Sequence, residues 1–167
     1  MTKNLIPTIN ISSIVNKDFN SIKSIRTINK IKKSCINIGF FQVIGHGISK
    51  KNIKNICNVG NKFFNSSENN KKKLAPKKWN YKNKNIYRGY FPNDVNGKEG
   101  LDIGDLKVTK KYAAIKKKQY IEYLNLNKSF DKKSVKILSK YFDEIFILGE
   151  TLFKSIIKLY NKDINNS

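Results

Sequence analysis

The sequence predicts an α+β fold of one domain, mainly helical with a few short strands. Its 167 residues, 39% of them hydrophobic, suffice for one compact core. Three segments repeat their apolar residues every three or four positions, which is typical of amphipathic helices. Two short segments rich in β-branched or aromatic residues have the composition of strands. We therefore predict a domain at 1–160 and a polar tail at 161–167.

The net charge of +22 would ordinarily suggest nucleic acid or an anionic membrane surface as a partner. Lysine, however, supplies 32 of the 34 basic residues, and arginine, whose guanidinium fork recognises phosphates and base edges, only two. Lys, Asn and Ile make up 79 of the 167 residues, and all three have codons made only of A and T. Genome composition therefore explains much of the charge, and we expect the runs at Lys71–Lys73 and Lys116–Lys118 to be solvated surface.

No apolar run reaches the roughly 18 residues of a membrane span, and the first ten residues do not resemble a secretory signal peptide. We therefore expect a cytoplasmic protein. Cys35 and Cys57 each lie in an apolar helical pattern, and neither belongs to a cluster with metal-ligand spacing. We expect both to be buried, reduced thiols.

The first predicted element is a short edge strand at Ile6–Ile11, where apolar and polar residues alternate after Pro7. A helix follows at about Asn20–Asn37, and Gly39 ends it. Its buried stripe is expected to contain Ile28, Ile31, Cys35 and Ile38.

The next elements flank a Gly-His-Gly turn. Phe40–Ile44 is a continuous aromatic and β-branched run, which predicts a strand covered on both faces. We expect His46, between its two glycines, to satisfy loop carbonyls rather than to bind a metal. A second helix is predicted at about Ser49–Phe64, with one face formed by Ile53, Ile56, Cys57, Gly60, Phe63 and Phe64.

The middle of the chain gives weaker signals. Asn65–Gly104 is rich in Asn, Lys, Gly and Pro, which predicts a long loop, and long ordered loops are often functional. Lys107–Asn127 has no decisive period and is also predicted to be a loop. The last element is a long helix at about Lys132–Tyr160, whose wide apolar stripe requires a further packing partner.

Three segments carry a resemblance to a known family. They are the opening strand Ile6–Ile11, the run Gly39–Ile48, which reads Gly-Phe-Phe-Gln-Val-Ile-Gly-His-Gly-Ile, and the loop Tyr87–Pro92, which reads Tyr-Arg-Gly-Tyr-Phe-Pro. In this order and spacing they resemble the N-terminal region of the isopenicillin N synthase-like non-haem iron(II)/2-oxoglutarate-dependent dioxygenases. Asn10 departs from the family, whose first strand usually carries Asp. The resemblance implies a helical region with short edge strands that lacks most of the jelly-roll (double-stranded β-helix) core.

In this family the jelly-roll barrel holds ferrous iron with two histidines and one carboxylate, and it also binds 2-oxoglutarate. The resemblance therefore implies Fe(II) and 2-oxoglutarate as cofactors of the complete family enzyme. The 167 residues contain one histidine, His46, which cannot supply this three-ligand set. We therefore expect no catalytic residue, no cofactor site and no metal site in this chain.

Arg88 and Tyr90 are the candidate substrate-binding residues. The resemblance places both on the substrate side of the pocket, where related enzymes recognise a carboxylated small molecule, and a guanidinium among aromatic residues suits that role. The alternative is structural: Arg88 pairs with Glu99 or Asp102 and pins the loop, while the tyrosines pack. Glu99 has no carboxylate or histidine partner at a useful spacing, so we expect it to have a structural hydrogen-bonding role.

Together these observations predict the N-terminal, substrate-side domain of an oxidoreductase, inactive alone. Its expected partner is the missing jelly-roll catalytic half, in cis or in trans, so the chain would be a truncated gene product or one part of a split enzyme. The alternatives are a non-catalytic subunit of a split oxygenase and a small basic protein that binds nucleic acid or another polyanion.

Overall fold

A computed structural model gives the fold and describes residues 6–16, 18–93, 97–107 and 124–164, with side chains up to residue 158. This part of the chain is mainly helical and contains two sheets of two strands each. The predicted α+β class is confirmed, and no jelly-roll sheet occurs in these ranges. Within them, no helix combines the length and the apolar character needed to cross a bilayer.

Helices account for more than half of the described residues, and each strand has only three residues. In chain order the elements are β1 (Thr8–Asn10), α1 (Ser12–Val15), α2 (Ile22–Asn37), β2 (Gln42–Ile44), α3 (Lys50–Phe64), α4 (Glu68–Lys72), β3 (Gly89–Phe91), β4 (Gly100–Asp102), a 3₁₀ turn (Leu126–Lys128) and α5 (Lys132–Ile164). The chain divides into two compact units, residues 1–49 with 144–167, and residues 50–143.

The core of the first unit consists of isoleucines from the segment around β1, α1 and α2. Leu148, Leu152 and Ile156, which share one face of α5, pack against it. The parallel pairing of β1 with β2 places Ile9 opposite Val43. The buried isoleucines are Ile9, Ile11, Ile14, Ile28 and Ile31.

The strand predicted at Phe40–Ile44 is present as β2, but it is not covered on both faces. Phe40 is 59% exposed and Ile44 is 52% exposed. Among the described residues β2 pairs with β1 and with no other strand, and the alternate residues Phe41 and Val43 are those that pack against the isoleucine core. The expectation of two covered faces is wrong because an apolar run does not reveal how many neighbours a strand has.

The expectation of buried cysteines is also wrong, since Cys35 and Cys57 are both exposed. On α2 the last buried residue is Ser34, and Cys35 is exposed although it lies four positions after the buried Ile31. The hydroxyl of Ser34 donates to the carbonyl of Lys30, which lets a polar residue occupy the buried position.

The second unit packs around Phe63 of α3. Its ring stacks on that of Phe130, with centroids 4.9 Å apart, and meets the ring of Tyr90 edge-on at 5.9 Å. The helices predicted at Ser49–Phe64 and Lys132–Tyr160 are confirmed as α3 and α5, although α5 continues to residue 164. The domain and tail bounds stay a prediction. The other buried apolar residues of this unit are Val59, Leu74, Ala75, Leu124, Leu126 and Leu138.

The segment Asn65–Gly104 differs from the predicted loop, because it contains α4 and an antiparallel hairpin of β3 and β4. Strands of three residues are too short for a two-residue alternation to be recognised in the sequence. Of the other predicted loop, Lys107–Asn127, residues 108–123 lie outside the described residues, and Leu126 begins the 3₁₀ turn.

Candidate functional site

The two candidate substrate-binding residues belong to the β3–β4 hairpin of the second unit. Arg88 directly precedes β3, and Tyr90 is the central residue of that strand, opposite Leu101 of β4. The backbone N–H of Tyr90 donates to the carbonyl of Leu74 at 3.1 Å. This bond attaches the hairpin to the segment that follows α4.

Gly89 makes this attachment possible. Its φ is +117°, which L side chains rarely adopt, and a Cβ placed on it would lie 2.0 Å from the carbonyl oxygen of Leu74. On the other side of Gly89, the side-chain amide of Asn85 donates to the carbonyl of Arg88. Hydrogen bonds therefore hold the backbone on both sides of Gly89. They set the directions in which the side chains of Arg88 and Tyr90 project from the strand.

Among the described residues, Tyr90 is the largest fully buried side chain, with 1% of its surface exposed. Its hydroxyl donates to Oε2 of Glu99 at 2.6 Å, a short distance that is typical of a bond to an ionised acceptor. Burial, followed by the bond to Glu99, raises the pKa of Tyr90 to about 12. The hydroxyl therefore stays protonated and acts as a donor throughout the physiological pH range.

Lys71 of α4 completes this partly buried polar cluster. Its Nζ lies 2.7 Å from Oε2 of Glu99, 3.5 Å from Oε2 of Glu68 and 5.3 Å from the centroid of the Tyr90 ring. The hydrogen bond between Lys71 and Glu99 raises the pKa of the lysine and lowers the pKa of the carboxyl group. Glu99 thus accepts from a cation and from a hydroxyl, which confirms the structural role predicted for it.

Arg88 is held by Asp102, the last residue of β4. Nη1 of the guanidinium donates to Oδ1 of Asp102 at 2.8 Å, so the pairing expected under the structural alternative forms. The guanidinium lies against Gly104, on which a Cβ would be 3.3 Å from Nε of Arg88. The Arg88 side chain is 39% exposed, and part of its charged group is therefore open to solvent.

Arg88 and Tyr90 thus belong to the same hairpin, but their side chains have different partners. Substrate binding by either residue stays a prediction. The sequence patterns did not identify Lys71, because it lies in a lysine run that was expected to be solvated, yet it is 9% exposed. Glu68 lies three positions before Lys71 and four before Lys72, so helical spacing does not distinguish the two lysines, and burial does.

His46 lies in the turn that follows β2, in the first unit. Its Nδ1 accepts the backbone N–H of Ile48 at 3.1 Å, so its structural use is confirmed, although its partner is an N–H and not a carbonyl. Among the described residues, no three His, Cys, Asp or Glu side chains are close enough to hold a metal ion. These residues do not fit the two-histidine, one-carboxylate site of a non-haem iron centre.

Comparisons with known proteins give matches over most of the chain. Residues 6–142 match the family described as non-haem dioxygenase in morphine synthesis, N-terminal. The chain is 33% identical to homoarginine-6-hydroxylase of Arabidopsis thaliana over 105 residues, which cover 59% of this chain and 28% of that protein. It is 33% identical over 112 residues to a probable iron/ascorbate oxidoreductase of Dictyostelium discoideum, with the same two coverages.

A third relative is a 2-oxoglutarate-dependent dioxygenase of Talaromyces stipitatus. It is 28% identical over 103 residues, which cover 62% of this chain and 31% of that protein. The chain therefore spans less than a third of the length of each of these relatives.

Proposed function

Because this chain belongs to the non-haem dioxygenase N-terminal family, we propose that it forms the substrate-side region of an iron(II)- and 2-oxoglutarate-dependent oxidoreductase and is inactive alone. Fe(II) and 2-oxoglutarate are the cofactors of the family. The 167 residues contain a single histidine, so a two-histidine site needs at least one ligand from other polypeptide. That polypeptide is the jelly-roll catalytic half, which joins this region in cis or in trans.

The anchored but partly exposed guanidinium of Arg88 carries the proposal for substrate binding. Asp102 fixes one edge of the group, and the exposed part leaves N–H donors for a second carboxylate. A fork that is already oriented loses less entropy on binding than a free side chain does. Arg88 therefore holds the carboxylate of a small-molecule substrate, and homoarginine, named for the Arabidopsis relative, is one such carboxylated compound.

Tyr90 stabilises the strand next to Arg88 and does not need to contact the substrate. Its buried ring and its bond to Glu99 fix β3, and the Leu74 carbonyl fixes the backbone beside Arg88. Substitution of Tyr90 is therefore expected to act through the placement of Arg88.

The claim of inactivity alone is tested on the purified 167-residue chain. It is incubated with Fe(II), 2-oxoglutarate, ascorbate and oxygen, and succinate formation and bound iron are measured. We expect no succinate above an iron-only blank and no stoichiometric iron. Tight binding of one iron per chain together with decarboxylation of 2-oxoglutarate would show that the proposal is wrong.

The role of Arg88 is tested in the protein that includes the catalytic half. Reading the DNA on both sides of this coding region identifies any frame that encodes His-x-Asp and a later His. With that polypeptide present, carboxylated small molecules are screened for substrate-dependent succinate formation. We expect Arg88→Gln to raise KM by about tenfold to a hundredfold, the value of a charged hydrogen bond.

Arg26→Gln is the matched control, since Arg26 is the other arginine of the chain and lies on α2 in the first unit. It removes the same charge and should leave KM unchanged. An equal rise in KM for both variants would mean that net charge, and not the site, attracts the substrate.

A further inference from the structure

A second feature of the 50–143 unit is not used by the proposed substrate site, although Leu74 and Asn85 contribute to both. It is a cavity of about 280 Å³, close to the lower end of the range of about 300–1,000 Å³ for small-molecule sites. None of its described lining residues is acidic, and four are lysines from three different segments of the chain. They are Lys73, Lys82, Lys84 and Lys128.

No described carboxylate lies within ion-pair distance of these four ammonium groups. The acidic side chains of the neighbouring hairpin pair instead with Lys71 and Arg88. Lys128 Nζ donates to the amide oxygen of Asn83 at 2.9 Å, which orients the ammonium group and leaves its charge uncancelled. The lysines are open to solvent, so each contributes modestly, and the positive potential results from their convergence on one cavity.

The wall between these lysines is ordered by the fold itself. Asn83 is buried, and its Nδ2 donates to the carbonyls of Lys73 and Ala75 at 3.0 and 2.7 Å. Asn85 is also buried and donates to the carbonyl of Arg88. A wall that is fixed before binding lowers the ordering cost of taking up a ligand.

We propose that this cavity binds a phosphate-bearing small molecule. A lysine ammonium is a compact point charge with three donors, and it can approach a tetrahedral phosphate from any direction. A planar carboxylate is matched better by an arginine fork, and no arginine occurs among the described lining residues. A phosphate monoester also carries more than one negative charge at neutral pH, which suits several converging cations.

Pyrophosphate is the probe for a calorimetric titration of the 167-residue chain at about 0.15 M ionic strength, where charges further apart than about 8 Å are screened. The double variant Lys84→Gln, Lys128→Gln removes two of the four cavity charges. Lys54→Gln, Lys136→Gln removes two charges of the same unit that do not line the cavity. We expect one pyrophosphate per chain, about tenfold weaker binding in the first variant and less than about twofold in the second.

Thermal unfolding of each variant checks that the fold is kept, and we expect little loss because surface substitutions change stability little. Equal weakening in both double variants, or no binding of pyrophosphate, overturns the proposal. Binding of citrate as tight as that of pyrophosphate also overturns the proposal, because the cavity would then recognise negative charge and not phosphate. If a single-stranded oligonucleotide binds to the chain and pyrophosphate does not, the ligand is a nucleic acid and not a small phosphate compound.

Discussion

Tyr90, Glu99 and Lys71 form a partly buried polar cluster in which each member has a hydrogen-bond partner. The carboxylate of Glu99 receives one hydrogen bond from the Tyr90 hydroxyl and one from the Lys71 ammonium. Buried polar groups are costly when they lose a partner, so the three residues act as a unit. They hold the strand that follows Arg88, and their effect on function is therefore indirect.

Tyr90→Phe removes the hydroxyl and keeps the ring. We expect it to lower the free energy of unfolding by about 1–2 kcal/mol, because Glu99 loses a donor but stays 30% exposed and can recover water. Tyr87→Phe is the control, since Tyr87 is 68% exposed, and it should change stability by less than about 0.5 kcal/mol. Urea denaturation measures both, and an equal effect of the two substitutions would contradict the role of the cluster.

Glu99 also makes stability depend on pH on the acidic side. Its hydrogen bond with Lys71 lowers its pKa below the ordinary value of 4.5 in the folded state. The unfolded state therefore takes up the proton first, so the contribution is complete above about pH 4.5 and is lost as the pH falls through the folded pKa.

The acid limb of a stability curve tests this linkage. Between about pH 5 and pH 3 the unfolding free energy of the unchanged protein should fall more steeply than that of Glu99→Gln, because the variant has no proton to take up at this position. The other carboxylates are present in both proteins, so the comparison isolates the substitution at Glu99. Two parallel curves from urea denaturation would mean that Glu99 does not contribute.

At the scale of elements, the β3–β4 hairpin depends on one backbone position. Gly89 combines a φ of +117° with a distance of 2.0 Å from a would-be Cβ to the Leu74 carbonyl oxygen. Gly100, in the paired strand, has no described atom other than those of its chain neighbours within 4 Å of the same point. The two glycines of this hairpin thus differ in their backbone conformation and in the space available for a side chain.

Gly89→Ala is expected to destabilise the protein by about 3 kcal/mol or more, since the new methyl group must displace the backbone of β3 and sits at a strained φ. Gly100→Ala should change stability by less than about 1 kcal/mol. Thermal or urea unfolding of the two variants gives the comparison. Similar stabilities would show that the Leu74 contact is not required for the fold.

The sequence predicted the helices much better than the strands and the hairpin. Helices α2, α3 and α5 each repeat their apolar positions over four or more turns, so their existence and approximate bounds could be read from the pattern. The hairpin has strands of three residues, and its pairing depends on contacts with Leu74 that are distant in sequence. Arg88 could be proposed from its rarity in a lysine-rich chain, whereas Lys71 required the structure, because burial distinguishes it from Lys72 and Lys73.

At the scale of the whole molecule, α5 has more apolar surface than the first unit covers. Leu148, Leu152 and Ile156 pack against the isoleucine core, while Ile147 and Phe153 are 53% and 64% exposed. A helix with apolar residues on more than one side requires a second partner. The proposed catalytic half would be that partner.

Adjacent residues of α5 allow this asymmetry to be measured. Phe153→Ala should change the unfolding free energy of the chain by less than about 0.5 kcal/mol and should reduce the binding of an apolar dye such as anilinonaphthalene sulfonate. Leu152→Ala, which removes a residue packed against the core, should cost about 1–3 kcal/mol. If Phe153→Ala were as destabilising as Leu152→Ala, the apolar face would be covered already.

The sequence by itself determined the family, the long helices and the shortage of histidine, because these depend on local periodicity, on ordered motifs and on composition. The tertiary structure decided which residues of each pattern are buried: Ser34 and not Cys35, and Lys71 and not its neighbours. It also decided that Arg88 pairs with Asp102 and that four lysines meet at one cavity. These outcomes depend on distances between residues far apart in the chain, which a one-dimensional pattern does not contain.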